Sequence, residues 1–255
     1  MVVQHGPERS ECDRIDDVDA AGPAEAARPF RARWVWDWIK SIVVAFTLFL
    51  MIRTFLVEAF RIPTGSMENT LLVGDFLLVN KAVYGAQLPL THLHLPAFSE
   101  PERGEIIVFV PPHEPDKNYV KRLVGLPGDT LAMRDKVLYL NGVEQVEPFT
   151  RHSDAGDGFS SRMYWQCDHL ATPVRRHRCR PTRDNWGPIV VPPGQYMVLG
   201  DNRDDSEDSR YWGFVERAAI KGRPLFIYYS FDGTTLRPIP WLTGIRWHRI
   251  GGGIS

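Results

Sequence analysis

Residues 34–67 read WVWDWIKSIVVAFTLFLMIRTFLVEAFRIPTGSM, and two different patterns meet inside this stretch. The first part is apolar, with no charged side chain from Ser41 to Ile52. If Lys40 and Arg53 reach toward the interfaces, the apolar span grows to about 20 residues, which is enough for one bilayer crossing. The second part, RIPTGSM, has the composition of a turn. The stretch therefore predicts a helix that ends shortly before a different fold begins.

Three interpretations of the apolar run compete. A cleaved signal peptide is disfavoured because the run begins late and no small-x-small site follows at once. A buried helix of a soluble protein stays open, because the charge-free core is short. A single membrane anchor over residues 34–59 is the prediction that we prefer. Three tryptophans would then lie at a membrane interface, as aromatic belts do: Trp34, Trp36 and Trp38.

The residues before the anchor, 1–33, are acidic and show no hydrophobic periodicity, so we expect a disordered tail. Three arginines lie close to the start of the apolar run: Arg28, Arg31 and Arg33. Positive charge on this side predicts a single-pass protein whose N-terminus lies in the cytoplasm and whose remaining chain lies outside the membrane.

From residue 60 to residue 255 the chain contains short runs of apolar, β-branched or aromatic residues, most of them bounded by Gly, Pro or Asp. Examples are GEIIVFV, YVKRLVGL, KVLYLNG and QYMVLGD. This pattern predicts a mainly β domain of packed antiparallel sheets. A stretch from about 145 to 188, rich in Arg, His, Asp and Ser, interrupts the rhythm and is predicted to be an insertion or a smaller subdomain.

The chain has three cysteines. Cys12 lies in the polar tail, whereas Cys167 and Cys179 are close enough in sequence to form a disulfide in an oxidising compartment, with two free thiols as the alternative. No C-x-x-C pair or H-E-x-x-H motif is present, and His92 and His94 have no further ligand at metal-site spacing. We therefore expect no metal and no cofactor.

Ser66 in RIPTGSM raises the question of a nucleophile. There is no G-x-S-x-G elbow and no neighbouring His, so another base would have to activate it. A lysine can serve, since burial lowers its pKa from about 10.4 by several units and leaves a neutral amine. Lys121 in NYVKRLVGLPGD and Lys81 in LLVNKAVYG both have apolar neighbours, and the pattern alone does not choose between them.

A third stretch, GDNRDDSEDSRYWG at residues 200–213, is dense in Asp, Ser and Arg. A calcium loop of the EF-hand type needs Gly at its sixth and Glu at its twelfth position. Counted from Asp204, those positions hold Ser209 and Val215, so the match fails. A solvated acidic turn remains one interpretation. The other is a network in which Asp208 and Arg210 pair and a serine hydroxyl is presented to a neighbouring site.

The stretches IPTGSM, YVKRLVGLPGD and LGDNRDDSEDSR, in this order after an apolar run, resemble bacterial type I signal peptidases (leader peptidases). The resemblance extends to the C-terminal GIRWHRIGGGI and covers most of residues 35–252. It implies a Ser-Lys dyad serine endopeptidase, anchored in the cytoplasmic (inner) membrane, with an outward-facing β-rich catalytic domain. The implied partners are the bilayer, the signal peptides of exported preproteins, cut after small residues, and the secretion machinery nearby. A net charge of −1 argues against a nucleic-acid partner.

The resemblance also assigns roles to individual residues. Ser66 matches the nucleophile and Lys121 the general base, which removes Lys81. Thr64 falls where the family usually has a serine whose hydroxyl joins the Ser66 backbone N–H as the oxyanion hole. Ser206 matches the serine that orients the lysine amine.

Two further groups of residues follow from the same match. Asp208 and Arg210 correspond to a pair that supports the site. The positions that line the substrate pockets are Phe60, Ile62, Pro63, Met67, Leu71, Tyr119 and Val120.

The sequence departs from the family after the nucleophile. The family commonly has S-M-x-P-T-L, and here SMENTL places Asn69 where the proline would be. Because asparagine also suits turns, we expect the turn to persist with less rigidity.

Two alternative functions remain open beside the signal peptidase interpretation. One is a Ser-Lys processing peptidase with a single pilus or conjugation substrate. The other is a non-catalytic, membrane-anchored binding module of the same fold, against which the intact Ser66, Lys121 and Ser206 argue.

Overall fold

The computed structural model of the protein describes residues 30–85, 97–173, 175–235 and 238–254. The chain divides into two units, Met1–Phe46 and Thr47–Ser255. Residues 1–29 of the predicted disordered tail (1–33) lie outside the described residues. Cys12, His92 and His94 also lie outside them.

The long helix α1 (Phe30–Phe55) contains the apolar run. Its segment Trp34–Arg53 has 20 residues, is long and apolar enough to cross a membrane, and has no buried residues. The bounds differ from the predicted 34–59 at both ends. The helix already includes Phe30, and the residues from Val57 onward form a strand, because their backbone groups pair with a neighbouring strand instead of with the preceding turn.

The described residues from Val57 onward contain eleven strands and two short α-helices, together with six 3₁₀-helices that are not labelled here. In chain order the elements are β1 (Val57–Arg61), β2 (Asp75–Asn80), β3 (Ile106–Phe109), β4 (Tyr119–Gly125), β5 (Thr130–Arg134), β6 (Val137–Leu140), β7 (Val143–Glu144), β8 (Trp186–Val190), β9 (Gln195–Leu199), α2 (Ser209–Trp212), β10 (Val215–Glu216), β11 (Ile220–Ser230) and α3 (Pro240–Thr243). The predicted mainly antiparallel β fold is confirmed.

The strands form two sheets in which every named pair is antiparallel. The seven-stranded sheet has the order β1-β2-β11-β3-β4-β9-β10, and the four-stranded sheet has the order β7-β6-β5-β8. β1 is therefore an edge strand, whereas β4 lies between β3 and β9. The register pairs Lys121 on β4 with Ile107 on β3, so the lysine lies inside the sheet and away from its edges.

Strand burial follows from these positions. In β2, Leu77 and Val79 are buried and alternate with partly exposed residues, as expected for a strand with one face on the core. All four residues of β3 are buried because this strand lies in the interior of the larger sheet. One core cluster joins the end of β1 to β2, β3 and β11: Ile62, Met67, Leu71, Leu77, Val79, Ile106, Val108 and Ile227.

The predicted insertion at 145–188 connects β7 to β8, and it ends earlier than expected because β8 begins at Trp186. The segment belongs to the same compact unit as the sheets. Its Trp165 ring packs edge-on against Phe214, with ring centroids 4.9 Å apart. Cys167 and Cys179 are joined by a disulfide bond with Cα atoms 5.8 Å apart.

Candidate active site

Ser66 lies in a tight turn between β1 and β2. The turn is closed by backbone hydrogen bonds, including those from Glu68 N to Gly65 O at 3.0 Å and from Leu71 N to Met67 O at 2.8 Å. Met67 and Leu71 are buried in the core and fix the turn from below. Ser66 itself retains an exposed fraction of 9%. The local sequence thus combines apolar anchors with a small polar residue at the surface of the core.

Lys121 reaches this turn from β4. Its exposed fraction is 3%, and its Nζ donates a hydrogen bond to Ser66 Oγ. Burial lowers the pKa of the Lys121 amine to about 8, because a charged ammonium loses its hydration there; the negative charge of Asp208 opposes the shift and Arg210 adds to it. A substantial share of the amine is therefore neutral slightly above neutral pH, and its lone pair can accept a proton.

Lys81, the other lysine with apolar neighbours, lies elsewhere. Its Nζ is 3.5 Å from a carboxylate oxygen of Glu58, and its side chain is partly exposed. It is not among the residues that line the cleft described below. Of the two lysines, only Lys121 contacts the Ser66 hydroxyl.

Asp208 and Arg210 form the ion pair that the sequence suggested. Both side chains are fully buried, and Arg210 donates to both carboxylate oxygens of Asp208, at 2.8 and 2.7 Å. Arg210 holds the pKa of the Asp208 carboxyl below its usual range, although burial acts in the opposite direction. Asp208 also accepts from the Gly200 backbone N–H at 3.1 Å and caps α2 through the Arg210 N–H. A buried anion is thus fixed close enough to lower the free energy of a protonated Lys121.

Ser206 is buried beside this pair. Its Oγ has no hydrogen-bond partner among the residues that the structure describes, so the hydrogen bond by which Ser206 was expected to orient the Lys121 amine is not formed in this structure. The residue between Ser206 and the Ser66 turn is Gly200, and a Cβ atom at Gly200 would lie 2.5 Å from the Ser66 carbonyl oxygen and closer still to Ser206 Oγ. The three residues pack so tightly that only glycine fits at position 200.

The sequence analysis did not predict the residues that bind the backbone and the Thr70 side chain of the Ser66 turn, residues 65–71. Asn202 donates through its backbone N–H to Ser66 O and through Nδ2 to Gly65 O, both at 3.1 Å. Asp201 accepts two hydrogen bonds from Arg122, both at 2.8 Å, and one from Thr70 Oγ1 at 2.5 Å. A signal was present, because Arg122 follows Lys121 directly, and Asp201 and Asn202 belong to the Asp-rich stretch.

A cleft of about 640 Å³ opens in front of Ser66 and Lys121. Besides Ser66, seven of its lining residues were predicted for the substrate pockets or the oxyanion hole: Phe60, Ile62, Pro63, Thr64, Met67, Tyr119 and Val120. Gly65 and five charged or polar residues complete the wall: Arg61, Lys117, Asn118, Asp205 and Glu207. Leu71 does not line the cleft, because its side chain is fully buried in the core beneath the turn. Thr64 is exposed at the rim.

No group of three or more His, Cys, Asp or Glu side chains that could hold a metal ion occurs in the part of the chain that the structure describes. What the arrangement offers is a hydroxyl, a buried amine in contact with it and an open apolar cleft. These are the parts needed for covalent catalysis by a serine that a lysine activates.

Comparison with known proteins shows the family. A family model described as signal peptidase, peptidase S26, matches residues 35–229. The chain belongs to this family. It is 39% identical over 239 residues to signal peptidase I of Pseudomonas aeruginosa, an alignment that covers 88% of this chain and 82% of the relative. It is 34% identical over 258 residues to signal peptidase I of Buchnera aphidicola, covering 84% of this chain and 81% of the relative.

A crystal structure of a signal peptidase I from Enterococcus faecalis is 34% identical and matches 49% of this chain and 97% of that chain, with a TM-score of 0.34. As a member of the S26 signal peptidases, the chain is a serine endopeptidase, and so a hydrolase.

The Ser66 turn also has contacts with residues that follow the region matched by the family model. Arg249 donates to Asp75 Oδ2 at 2.7 Å and to the Thr70 carbonyl oxygen at 2.9 Å. Asp75 is fully buried at the start of β2 and accepts from Ser230 Oγ at 2.7 Å. The C-terminal segment around Arg249 was singled out in the sequence only as part of the resemblance. It stabilises the Ser66 turn at Thr70.

Proposed function

We propose that this protein is a membrane-anchored signal peptidase that cleaves exported preproteins after small residues by means of a Ser66–Lys121 dyad. The observation that carries the proposal is the buried Lys121 amine in hydrogen-bond contact with Ser66 Oγ at the wall of an open cleft. Membership of the S26 signal peptidase family supports the substrate class.

The substrate segment would bind in an extended conformation. β1 is an edge strand of the larger sheet, and its end forms part of the cleft wall, so a peptide can pair with backbone groups there. Ile62 and Met67 are buried side chains that line the cleft. Small apolar subsites formed by such residues would accept Ala-sized side chains and exclude larger ones, which is the basis of the expected A-x-A specificity.

The reaction would proceed through an acyl-enzyme. Neutral Lys121 takes the Ser66 proton while Ser66 Oγ attacks the scissile carbonyl carbon. The Ser66 backbone N–H and the Thr64 hydroxyl donate to the oxyanion. Lys121 then gives its proton to the departing amine of the mature protein. The neutral Lys121 amine then deprotonates a water molecule, which hydrolyses the ester and regenerates Ser66.

The helix α1 would hold the catalytic domain at the outer surface of the cytoplasmic membrane, with the N-terminal tail in the cytoplasm. An anchor of this kind concentrates the enzyme where signal peptides emerge beside the secretion machinery. Its 20-residue apolar segment and the arginines that precede it support this arrangement.

The test is cleavage of a purified preprotein by the full-length enzyme in detergent or vesicles. Ser66→Ala and Lys121→Ala are each expected to abolish cleavage while the proteins remain folded and membrane-bound. Lys81→Ala is the matched control, since this lysine contacts Glu58 and not Ser66, and it is expected to keep full activity. Cleavage that survives Lys121→Ala but not Lys81→Ala would show that the assigned base is wrong.

A panel of unrelated preproteins tests the breadth of the function. Cleavage of many A-x-A sites is the expected result for a general signal peptidase. Activity on one pilin-like or conjugation substrate alone would favour a dedicated processing peptidase.

A further inference from the structure

The turn formed by Glu147–Arg151 lies at the start of the segment that connects β7 to β8. It is closed by the backbone N–H and the Oγ1 of Thr150, which donate to the Glu147 carbonyl oxygen at 3.2 and 2.9 Å. Its position among the strands does not indicate a role in the site. Its contacts do, because it binds both the 201–203 loop and the nucleophile turn, which is formed by residues 65–71 around Ser66.

On one side, the 147–151 turn is bonded to the loop that supports the dyad. Arg151 N donates to Asp201 O at 2.8 Å, and Arg203 N donates to Arg151 O at 2.9 Å. The buried Arg203 side chain donates to Glu147 Oε1 at 2.7 Å. Since Asn202 in the same loop holds the carbonyl oxygens of Gly65 and Ser66, the 147–151 turn shares a frame with the nucleophile.

On the other side, the 147–151 turn contacts the nucleophile turn directly. Asn69 Nδ2 donates to the Phe149 carbonyl oxygen at 2.9 Å, and Arg151 forms an ion pair with Glu68 at 2.6 Å. The guanidinium of Arg122 lies over the Phe149 ring, with Arg122 Cζ 3.8 Å from the ring centroid. Arg122 follows Lys121 on β4, so the same turn also contacts the strand that carries the base.

The backbone conformation of Asn69 restricts which residues fit at this position. Asn69 has φ +96°, a value that asparagine adopts more readily than most residues and that proline cannot adopt. The family that this stretch resembles commonly has proline at this position. Asparagine here therefore does more than tolerate a turn, since its backbone conformation directs a side-chain donor toward Phe149.

We propose that Asn69 is a positioning residue, which ties the nucleophile turn to the 147–151 turn and thereby holds Ser66 Oγ against Lys121. The proposal rests on the proposed role of Ser66. Asn69 follows Ser66 by three positions in the same short turn, whereas Asn202 holds the other end of that turn. With Lys121 fixed inside the sheet, these two ties restrict the movement of Ser66 Oγ relative to Lys121 Nζ.

Two variants separate the hydrogen bond from the backbone conformation. Asn69→Gly keeps the positive φ and loses the side chain, and Asn69→Asp keeps the shape but replaces the donor with an acceptor that repels the Phe149 carbonyl. Each is expected to lower kcat for preprotein cleavage by tenfold to a hundredfold, since small displacements of a nucleophile have effects of about this size. KM is expected to stay within about twofold of the wild-type value, because the cleft walls do not change.

A third variant tests the backbone. Asn69→Pro restores the residue typical of the family, yet it is expected to lower kcat further than Asn69→Gly does, because proline cannot reach the required φ. A proline variant as active as the wild type would overturn the claim that this turn depends on the left-handed backbone of Asn69.

The matched control is Asn141→Gly. Asn141 also has a positive φ, +51°, and its Nδ2 donates to Asp129 Oδ1 at 3.1 Å, but it lies in the turn after β6. Its replacement is expected to lower Tm about as much as Asn69→Gly does and to leave kcat unchanged. An equal loss of kcat in both variants would mean general destabilisation and would overturn the proposal, as would kcat within twofold of wild type for both Asn69→Gly and Asn69→Asp.

Ser66→Ala is assayed beside these variants. If it cleaves like the wild type, the proposed function fails and with it the premise of the positioning role. If Ser66→Ala is inactive while the Asn69 variants keep full kcat, the positioning role alone is wrong.

Discussion

Burial changes the pKa of Lys121, and this change supports its proposed role as the general base. In water its amine would be almost fully protonated at neutral pH. Loss of hydration lowers its pKa to about 8, so the base form becomes available without help from a histidine. The enclosure inside the larger sheet, between β3 and β9, is the physical source of that shift.

The pH dependence of cleavage follows from the direction of this shift. Only the neutral amine can accept the Ser66 proton, so kcat/KM is expected to fall about tenfold per pH unit below a pKa near 8 and to level off above it. Steady-state cleavage of a preprotein between pH 5 and pH 10, with folding monitored by circular dichroism, measures this. An acidic limb near pH 6.5, with no second limb near 8, would point to a histidine instead.

Thr64 is the second residue with a role that can be measured. It lies exposed at the cleft rim, where the Thr64 hydroxyl would join the Ser66 N–H in stabilising the oxyanion. Thr64→Val removes the hydroxyl with little change in shape, and kcat is expected to fall by about 10²–10³, the usual effect of one lost oxyanion donor. Thr64→Ser should keep most of the activity. Equal activity of Thr64→Val and wild type would exclude this role.

At the scale of elements, the end of β9 and the loop after it approach the nucleophile turn closely enough to require glycine. Gly200 N–H donates to Asp208, while the Gly200 Cα faces the Ser66 carbonyl oxygen and Ser206 Oγ. A strand end, a buried ion pair and the nucleophile turn are thus joined at one residue.

Gly200→Ala tests that junction. The new Cβ would meet backbone and a buried hydroxyl, which cannot move aside, so the Ser66 turn must shift. We expect kcat/KM to fall by at least a hundredfold and the protein to be destabilised by about 1–3 kcal/mol, the usual cost of overpacking. Gly253→Ala serves as control, because a Cβ there has no neighbour within 4 Å. Wild-type activity in Gly200→Ala would contradict the tight packing.

At the scale of the whole molecule, the central prediction concerns orientation. With positive charge on the N-terminal side of the apolar helix, an N-terminal epitope tag is expected to lie in the cytoplasm. Protease added to spheroplasts should therefore degrade the catalytic domain and leave the tag on a protected fragment. Replacing Arg28, Arg31 and Arg33 with Gln should reduce the protected fraction. A tag that is digested in intact spheroplasts would exclude this topology.

The sequence by itself determined the features that depend on local pattern. A long apolar run fixes a helix, and alternating or wholly apolar runs of five or six residues fix strands, because side-chain periodicity follows backbone geometry. The motifs around Ser66, Lys121 and Asp208 led to the prediction of Ser-Lys chemistry before any contact was known. Even so, the predicted C-terminal ends of the anchor helix and of the segment after β7 lie a few residues beyond the observed ones, because the pairing of the next strand decides where each of them stops.

Only the tertiary structure decided which of these features meet. Ser66 and Lys121 are 55 positions apart, and their contact depends on the placement of β4 in the interior of the sheet. The same packing buries Leu71 beneath the turn instead of in the cleft, and requires glycine at position 200. RIPTGSM thus contains the hydroxyl, whereas the neighbouring strands and loops supply the proposed base and hold the hydroxyl in position. The periodicity of the sequence does not show these contacts, because they join segments that are distant along the chain.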